Sequence, residues 1–223
     1  MCRALVSVCL QQGKTPRRDV EEIRMNTGRM EAFSDGVMAV AITLLALNLT
    51  FPSPGTAPLG TSLAHQWPAY VAYVISFATV GIIWINHHAA LARLRATDHT
   101  ILKLNLLLLM SICVLPFTTH LMASYLTASG GEKLAAAVYS GSLLVMGICF
   151  VLLNAHALLV KSELLDGDMT AQQRRALLRR GAAGVAPYAL AVVLAAVSPY
   201  LSLAICGAVA VFYALPAANT IRS

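Results

Sequence analysis

The sequence predicts an all-α, polytopic membrane protein with six transmembrane helices. Of its 223 residues, 58% are hydrophobic and 12% are charged, and the mean hydropathy is +0.71. Such a composition excludes an ordinary soluble domain. Long apolar runs recur along the chain, and a helix of roughly 20 apolar residues is enough to cross a bilayer.

The first apolar run, residues 29–49, contains a stripe of large side chains. The run reads RMEAFSDGVMAVAITLLALNL and begins with charged residues. At about 100° per residue, Val40, Leu44 and Leu47 share one helix face, with Thr43 at its flank. Periodicity alone favours a packing surface, so lipid or a protein core is the simplest partner for this stripe.

A second face of the same run carries Asp35, Ala39 and Ala46. Small residues let a neighbouring backbone come close, as contacts between membrane helices usually require. An acid at the membrane border is costly unless it has a partner. We therefore expect the Asp35 face to point into the helix bundle.

Five further spans are predicted from the remaining apolar runs. Thr170 is expected to N-cap a short basic surface helix over residues 171–180, and Pro116 to kink the third span. Residues 50–66 are expected to be a loop. The predicted layout is a poorly ordered cytoplasmic extension (1–28), a six-helix domain (29–217) and a cytoplasmic tail (218–223). Within the domain, the second to sixth spans are predicted at 70–85, 104–125, 134–160, 182–197 and 200–216.

The basic residues predict the orientation of the chain. Of the 16 lysines and arginines, all but Lys133 fall in the N-terminal segment, the second or fourth loop, or the C-terminal tail. By the positive-inside rule, both termini are cytoplasmic and the number of spans is even. This distribution explains the net charge of +6 without a nucleic-acid partner.

Polar residues near one membrane border are expected to bond to one another, because an unpaired polar group costs several kcal/mol in hydrocarbon. His87 and His88 are adjacent, so their side chains diverge by about 100° on a helix and do not favour a shared metal. A structural hydrogen-bond network is the favoured interpretation, with pH sensing by His88 as the main alternative. The predicted network joins Arg29, Ser34, Asp35 and His88, with Trp84 and Asn105 as further candidates.

The pattern Arg29-x-x-x-Phe33-Ser34-Asp35, followed by Gly-Val-x-Ala-x-Ala-Ile-Thr-Leu-Leu-x-Leu, resembles the first-helix signature of the transmembrane protein 175 family. This family comprises endosomal and lysosomal potassium channels and their prokaryotic relatives. The Trp84-x-x-His87-His88 group is a looser match. The resemblance implies a prokaryotic, single-repeat homotetramer, in which Arg29 and the Phe-Ser-Asp residues are tied to the Trp and His of the second helix.

The resemblance also implies the pore. The first helix of each subunit would line it, with Val40, Leu44 and Leu47 as apolar rings and Thr43 as a possible hydroxyl ligand. The implied function is a cell-membrane channel that conducts potassium in preference to sodium, with potassium ion and the lipid bilayer as partners. Val40 is shorter than the Ile or Leu frequent at that position in relatives.

No catalytic motif, phosphate-binding loop or dinucleotide fingerprint is present, so we expect neither an enzyme nor a cofactor. Two alternatives remain open at this point. One is a membrane-embedded metal or haem protein that uses His87, His88 and His156. The other is a proton-coupled carrier that depends on Asp35.

Overall fold

The computed structural model describes residues 17–50, 58–167 and 169–220, with side chains described between residues 27 and 215. Within these ranges every regular element is a helix, which confirms the predicted all-α class. A π-helical turn, His156–Val160, and a 3-10 turn, Ser162–Leu164, follow the fifth helix. The helices are α1 (Arg17–Ala46), α2 (Leu59–His65), α3 (Trp67–Leu91), α4 (His99–Tyr125), α5 (Glu132–Ala155), α6 (Ala171–Ala182), α7 (Val185–Ala195) and α8 (Pro199–Thr220).

Four helical stretches of the described chain are long and apolar enough to cross a membrane. They are Trp67–Leu91, His99–Tyr125, Glu132–Val160 and Ala171–Ala195. A shorter apolar helix covers Pro199–Leu215. These five stretches overlap the predicted second to sixth spans.

Helix α1 differs from the prediction at both ends. Its backbone is helical from Arg17, so the predicted boundary between residues 28 and 29 falls inside a helix, and residues 1–16 lie outside the described part. The helix ends at Ala46, and Leu47 belongs to a turn in which its N–H donates to the carbonyl of Leu44 at 3.2 Å. The Asn48 side chain then donates to the carbonyl of Pro116 at 2.9 Å, which fixes the end of α1 against α4.

Helices α3 and α4 begin earlier than predicted, for local reasons. Pro68 lies in the first turn of α3, where its missing N–H costs nothing. Asp98 N-caps α4 by accepting a hydrogen bond from the Ile101 N–H at 2.7 Å. Because α3 continues to Leu91, His87 and His88 lie within the helix.

The polar segments between the spans are partly helical. Helix α2 occupies the segment predicted as a loop, of which residues 51–57 lie outside the described part. Thr170 caps α6 as predicted, in a reciprocal capping box with Gln173. A turn at 183–184 separates α6 from α7, and Pro199 begins α8 where the break was predicted.

The core forms around α5, which packs against α4, α7 and α8. Tyr139 and Met146 of α5 are fully buried there. The hydroxyl of Ser76 on α3 lies 2.8 Å from that of Thr119 on α4 and 3.0 Å from that of Tyr139. Helix α1 packs on the outside of this core, against α3 and α4, and this position leaves much of its surface uncovered.

Candidate functional site: the faces of helix α1

One face of α1 exposes the predicted stripe of large apolar side chains. In the single chain, Val40 is 57% exposed, Leu44 43% and Leu47 74%. Thr43 is also exposed, and its hydroxyl donates to the carbonyl of Val40 at 2.8 Å. Since the proton is used within the helix, the lone pairs of the Thr43 oxygen stay free to accept a bond or contact a cation.

The buried face of α1 is a different one from the face that we predicted. It consists of residues spaced three or four apart, which is the helical repeat. Ala39 and Ala46 are exposed, so the prediction that their face points into the bundle is wrong for them within the single chain. Asp35 is half-buried and does contact a neighbouring helix, since it accepts a hydrogen bond from Trp84 of α3. Both long side chains and small ones lie between α1 and its neighbours. The buried residues are Met30, Ser34, Met38, Ala41 and Leu45.

A buried polar chain links this face to the two helices beneath it. The Asn105 side-chain amide on α4 donates to the Ser34 hydroxyl at 2.9 Å, and Ser34 donates to the carbonyl of Met30 at 2.8 Å. The Asn105 carbonyl oxygen lies 2.7 Å from Nε2 of His87 on α3. Ser34, His87 and Asn105 are all 0–1% exposed. The hydrogen bonds therefore join α1, α3 and α4 within the packed interior.

A second polar cluster lies at the surface, one residue further round α1. Trp84 donates its indole N–H to Oδ1 of Asp35 at 2.9 Å. Nδ1 of His88 lies 2.7 Å from Oε1 of Glu31, and the rings of Trp84 and His88 are 6.3 Å apart. Glu31 and Asp35 are four residues apart on one face of α1, so both reach the same part of α3.

The structure thus divides the predicted network into two clusters. In the buried cluster, Asn105 bonds to Ser34. In the surface cluster, Trp84 bonds to Asp35, and His88 pairs with Glu31. Sequence reasoning missed the roles of His87 and Glu31.

Two predicted members of the network lie outside both clusters. Arg29 is exposed and forms no ion pair with the rest of the described chain, and Phe33 is 55% exposed. A signal for the missed residues was present: Glu31 precedes Asp35 by one helical turn, and a histidine within an apolar span needs a buried partner.

The three histidines considered as metal or haem ligands bond to different residues. His87 pairs with Asn105, His88 with Glu31, and His156 with Asp98 at 3.0 Å. His156 and Asp98 tie the end of α5 to the start of α4. This arrangement gives no support to a shared site formed by the three histidines.

Comparison with known proteins identifies the family. Residues 29–116 match the family model described as endosomal/lysosomal potassium channel TMEM175. The chain is 42% identical over 188 residues to a potassium channel of Streptomyces collinus, covering 84% of this chain and 91% of that one. It is 38% identical over 192 residues to a potassium channel of Chamaesiphon minutus, covering 85% and 94%.

The fold is also shared with a solved structure. The crystal structure of a lysosomal potassium-selective channel TMEM175 homolog from Chamaesiphon minutus aligns with a TM-score of 0.76 and 37% identity. The alignment covers 86% of this chain and 98% of that one. The matched family model begins at Arg29, the first residue of the signature on which the resemblance was recognised. The chain belongs to the TMEM175 family.

Proposed function

We propose that this protein is a potassium channel that prefers potassium over sodium, with its conducting pathway lined by α1. The observation that carries the proposal is the exposed stripe of Val40, Leu44 and Leu47 on a helix whose opposite face is packed into the chain. Relatives that match nearly their whole length are named potassium channels, which supports the same function.

The pathway requires more than one copy of the chain, and we propose a homotetramer. A single α1 cannot enclose a pore, but four copies around an axis can turn their stripes toward one another. Helix α1 lies at the outside of its own bundle, where a neighbouring copy can reach it. Lipid is the competing partner for the stripe, and the experiment below distinguishes the two.

Selectivity in such a pore would depend on dehydration. Rings of Val40, Leu44 and Leu47 offer no oxygen atoms to replace the water of a passing ion, and sodium holds its water more tightly than potassium. The Thr43 hydroxyl donates its proton to the carbonyl of Val40, so its oxygen would face the ion at one position along the pore. Preference for potassium then follows from a dehydration penalty that is larger for sodium.

The proposed topology has six spans with both termini in the cytoplasm, in a cell membrane. In this proposal, the four long apolar stretches, the shorter helix Pro199–Leu215 and the apolar part of α1 would supply the six crossings. Arg93 and Arg95, and the four arginines of α6, would lie on the same side as the start of α1. An even number of crossings agrees with this charge distribution.

The test is reconstitution of the purified chain into liposomes, with measurement of potassium and sodium reversal potentials. Removing a ring should widen the constriction and lower the dehydration penalty, so Val40→Ala should raise conductance and reduce the preference for potassium. Val40→Asn should conduct with weak selectivity. The matched control is Val193→Ala on α7, since Val193 is 67% exposed but lies on another helix. It should leave both quantities unchanged.

A second variant tests which face of α1 is involved. Ala39→Val adds bulk one residue away on a different exposed face, and it should reduce tetramer yield with little effect on selectivity. If selectivity changed in Ala39→Val and not in Val40→Ala, the pore face would be assigned wrongly. Saturable transport without single-channel events would favour the carrier that depends on Asp35.

A further inference from the structure

We propose that Glu31, Asp35 and His88 form a binding site for a divalent transition-metal ion that links α1 to α3. One ligand atom from each residue lies within 4.8 Å of the other two. The site is independent of the proposed channel function, since it uses none of the stripe residues. It also differs from the histidine cluster considered from sequence, because two of its ligands are carboxylates.

The geometry needs little adjustment to hold an ion. Ligands about 2.1 Å from a metal in tetrahedral or octahedral arrangement lie about 3.0–3.4 Å apart. Nδ1 of His88 and Oε1 of Glu31 are already 2.7 Å apart. Asp35 lies one turn after Glu31 on the same helix face, and its ligand oxygen is within 4.8 Å of the other two ligand atoms, so a small side-chain movement closes the remaining gap.

The residues around the ligands also suit a metal. Oδ1 of Asp35 accepts the Trp84 indole N–H at 2.9 Å, which leaves Oδ2 free and fixes the orientation of the carboxylate. Outer hydrogen bonds of this kind hold ligands in place and are a regular part of metal sites. Neither carboxylate pairs with a lysine or arginine of the described chain. Among the described residues, the two carboxylates thus share one place with His88 as their neighbouring ion-pair partner.

The ligand set indicates the class of ion. Two carboxylates and one imidazole suit zinc, cobalt or manganese, whereas magnesium and calcium prefer oxygen ligands alone. Glu31 is half-buried and the His88 side chain is 56% exposed, so an ion can enter from solvent. Water would complete the coordination. Bound here, the ion would hold α1 and α3 at a fixed separation near the Asp35 end.

The experiment titrates cobalt(II) into the metal-stripped, purified full-length chain. The sequence contains two tryptophans, Trp67 and Trp84, so in a Trp67→Phe background with excitation selective for tryptophan the emission comes from Trp84. Trp84 contacts both Asp35 and His88, and cobalt bound between them should quench its emission. Saturable quenching at micromolar cobalt is expected, and zinc should compete with it.

Two variants and one control assign the ligands. Glu31→Gln and His88→Gln each remove a ligand near the surface, and each should weaken binding by at least about tenfold. His99→Gln is the matched control, since His99 is an exposed histidine on another helix, and it should leave the midpoint unchanged. Non-saturating quenching, or saturable quenching unaltered in both ligand variants, would overturn the proposal. Either result leaves the reversal-potential test of channel function untouched.

Discussion

Ser34→Ala tests whether the buried polar chain holds α1 in place. Ser34 is fully buried and makes two hydrogen bonds, one within its own helix to Met30 and one accepted from Asn105 on α4. The substitution removes one oxygen and leaves the backbone helical, because alanine has the highest helix propensity. The carbonyl of Met30 keeps its ordinary helical partner, so the main loss is at Asn105.

The magnitude follows from that lost partner. Asn105 is 1% exposed, and its amide N–H would have no acceptor in place of Ser34. A buried donor left unsatisfied costs about 1–3 kcal/mol, whereas hydrogen bonds between membrane helices average about 0.6 kcal/mol and reach about 1.7. We therefore expect Ser34→Ala to lower stability by about 1–2 kcal/mol. For a chain of this length, that corresponds to a fall in Tm of about 2–8 °C.

Thermal unfolding of the purified protein, followed by near-ultraviolet circular dichroism, measures this difference. The control is Ser140→Ala: Ser140 is equally buried and also donates to the carbonyl four residues back, Ala136, but it accepts no hydrogen bond from another helix of the described chain. It should change Tm by less than half as much. Equal effects of the two substitutions would refute the reasoning, because the bond to Asn105 would then contribute nothing measurable.

Two further predictions concern helix ends outside the spans. Partial burial acts to raise the pKa of Asp98, but hydrogen bonds from His156 and the Ile101 N–H outweigh it and leave the pKa below its ordinary value. The stability that the ionised Asp98 side chain contributes is therefore fully present above the unfolded pKa of about 3.9, and it is lost as the pH falls through the lowered pKa. Asp98→Asn should lower Tm at pH 7, and the Tm values of the variant and the wild type should converge in acid. Gly131 has φ of 85°, and a Cβ there would lie 2.9 Å from Cδ1 of Tyr125, so Gly131→Ala should cost about 1–2 kcal/mol in thermal unfolding. Gly130→Ala, which meets nothing within 4 Å, is the control and should be close to neutral.

The positions of the helices could be predicted from sequence more reliably than their ends. Apolar runs mark where a membrane helix must be, but the ends depend on single residues. Asp98 begins α4 by capping it, and Pro68 marks the start of α3, so both helices extend beyond the apolar run. The π-helical turn after α5 has no sequence signal that we recognised.

The buried face of α1 could not be chosen from sequence because residues 36–46, its apolar part, are apolar or small on almost every face. A helix that is hydrophobic all round gives no moment to orient it. The small residues Ala39 and Ala46 were taken as the contact, whereas Met38 and Leu45 make it. Ser34 was the better guide, since a hydroxyl in a span needs a partner, and Asn105 is a polar residue on another span.

The composition of the exposed surface of α1 gives a reason to expect protein, and not lipid, against it. On α4, the exposed surface includes large apolar side chains such as Leu106, Met110 and Phe117, as contact with acyl chains would favour. On α1, small residues border the large ones on the exposed surface. Gly36 and Ala39 are both exposed there, so a second backbone could approach closely beside the stripe. A helix that met only lipid would gain nothing from that close approach. Ala39, which misdirected the choice of buried face, therefore supports together with Gly36 the proposed contact between subunits, with the Val40 stripe turned toward the axis.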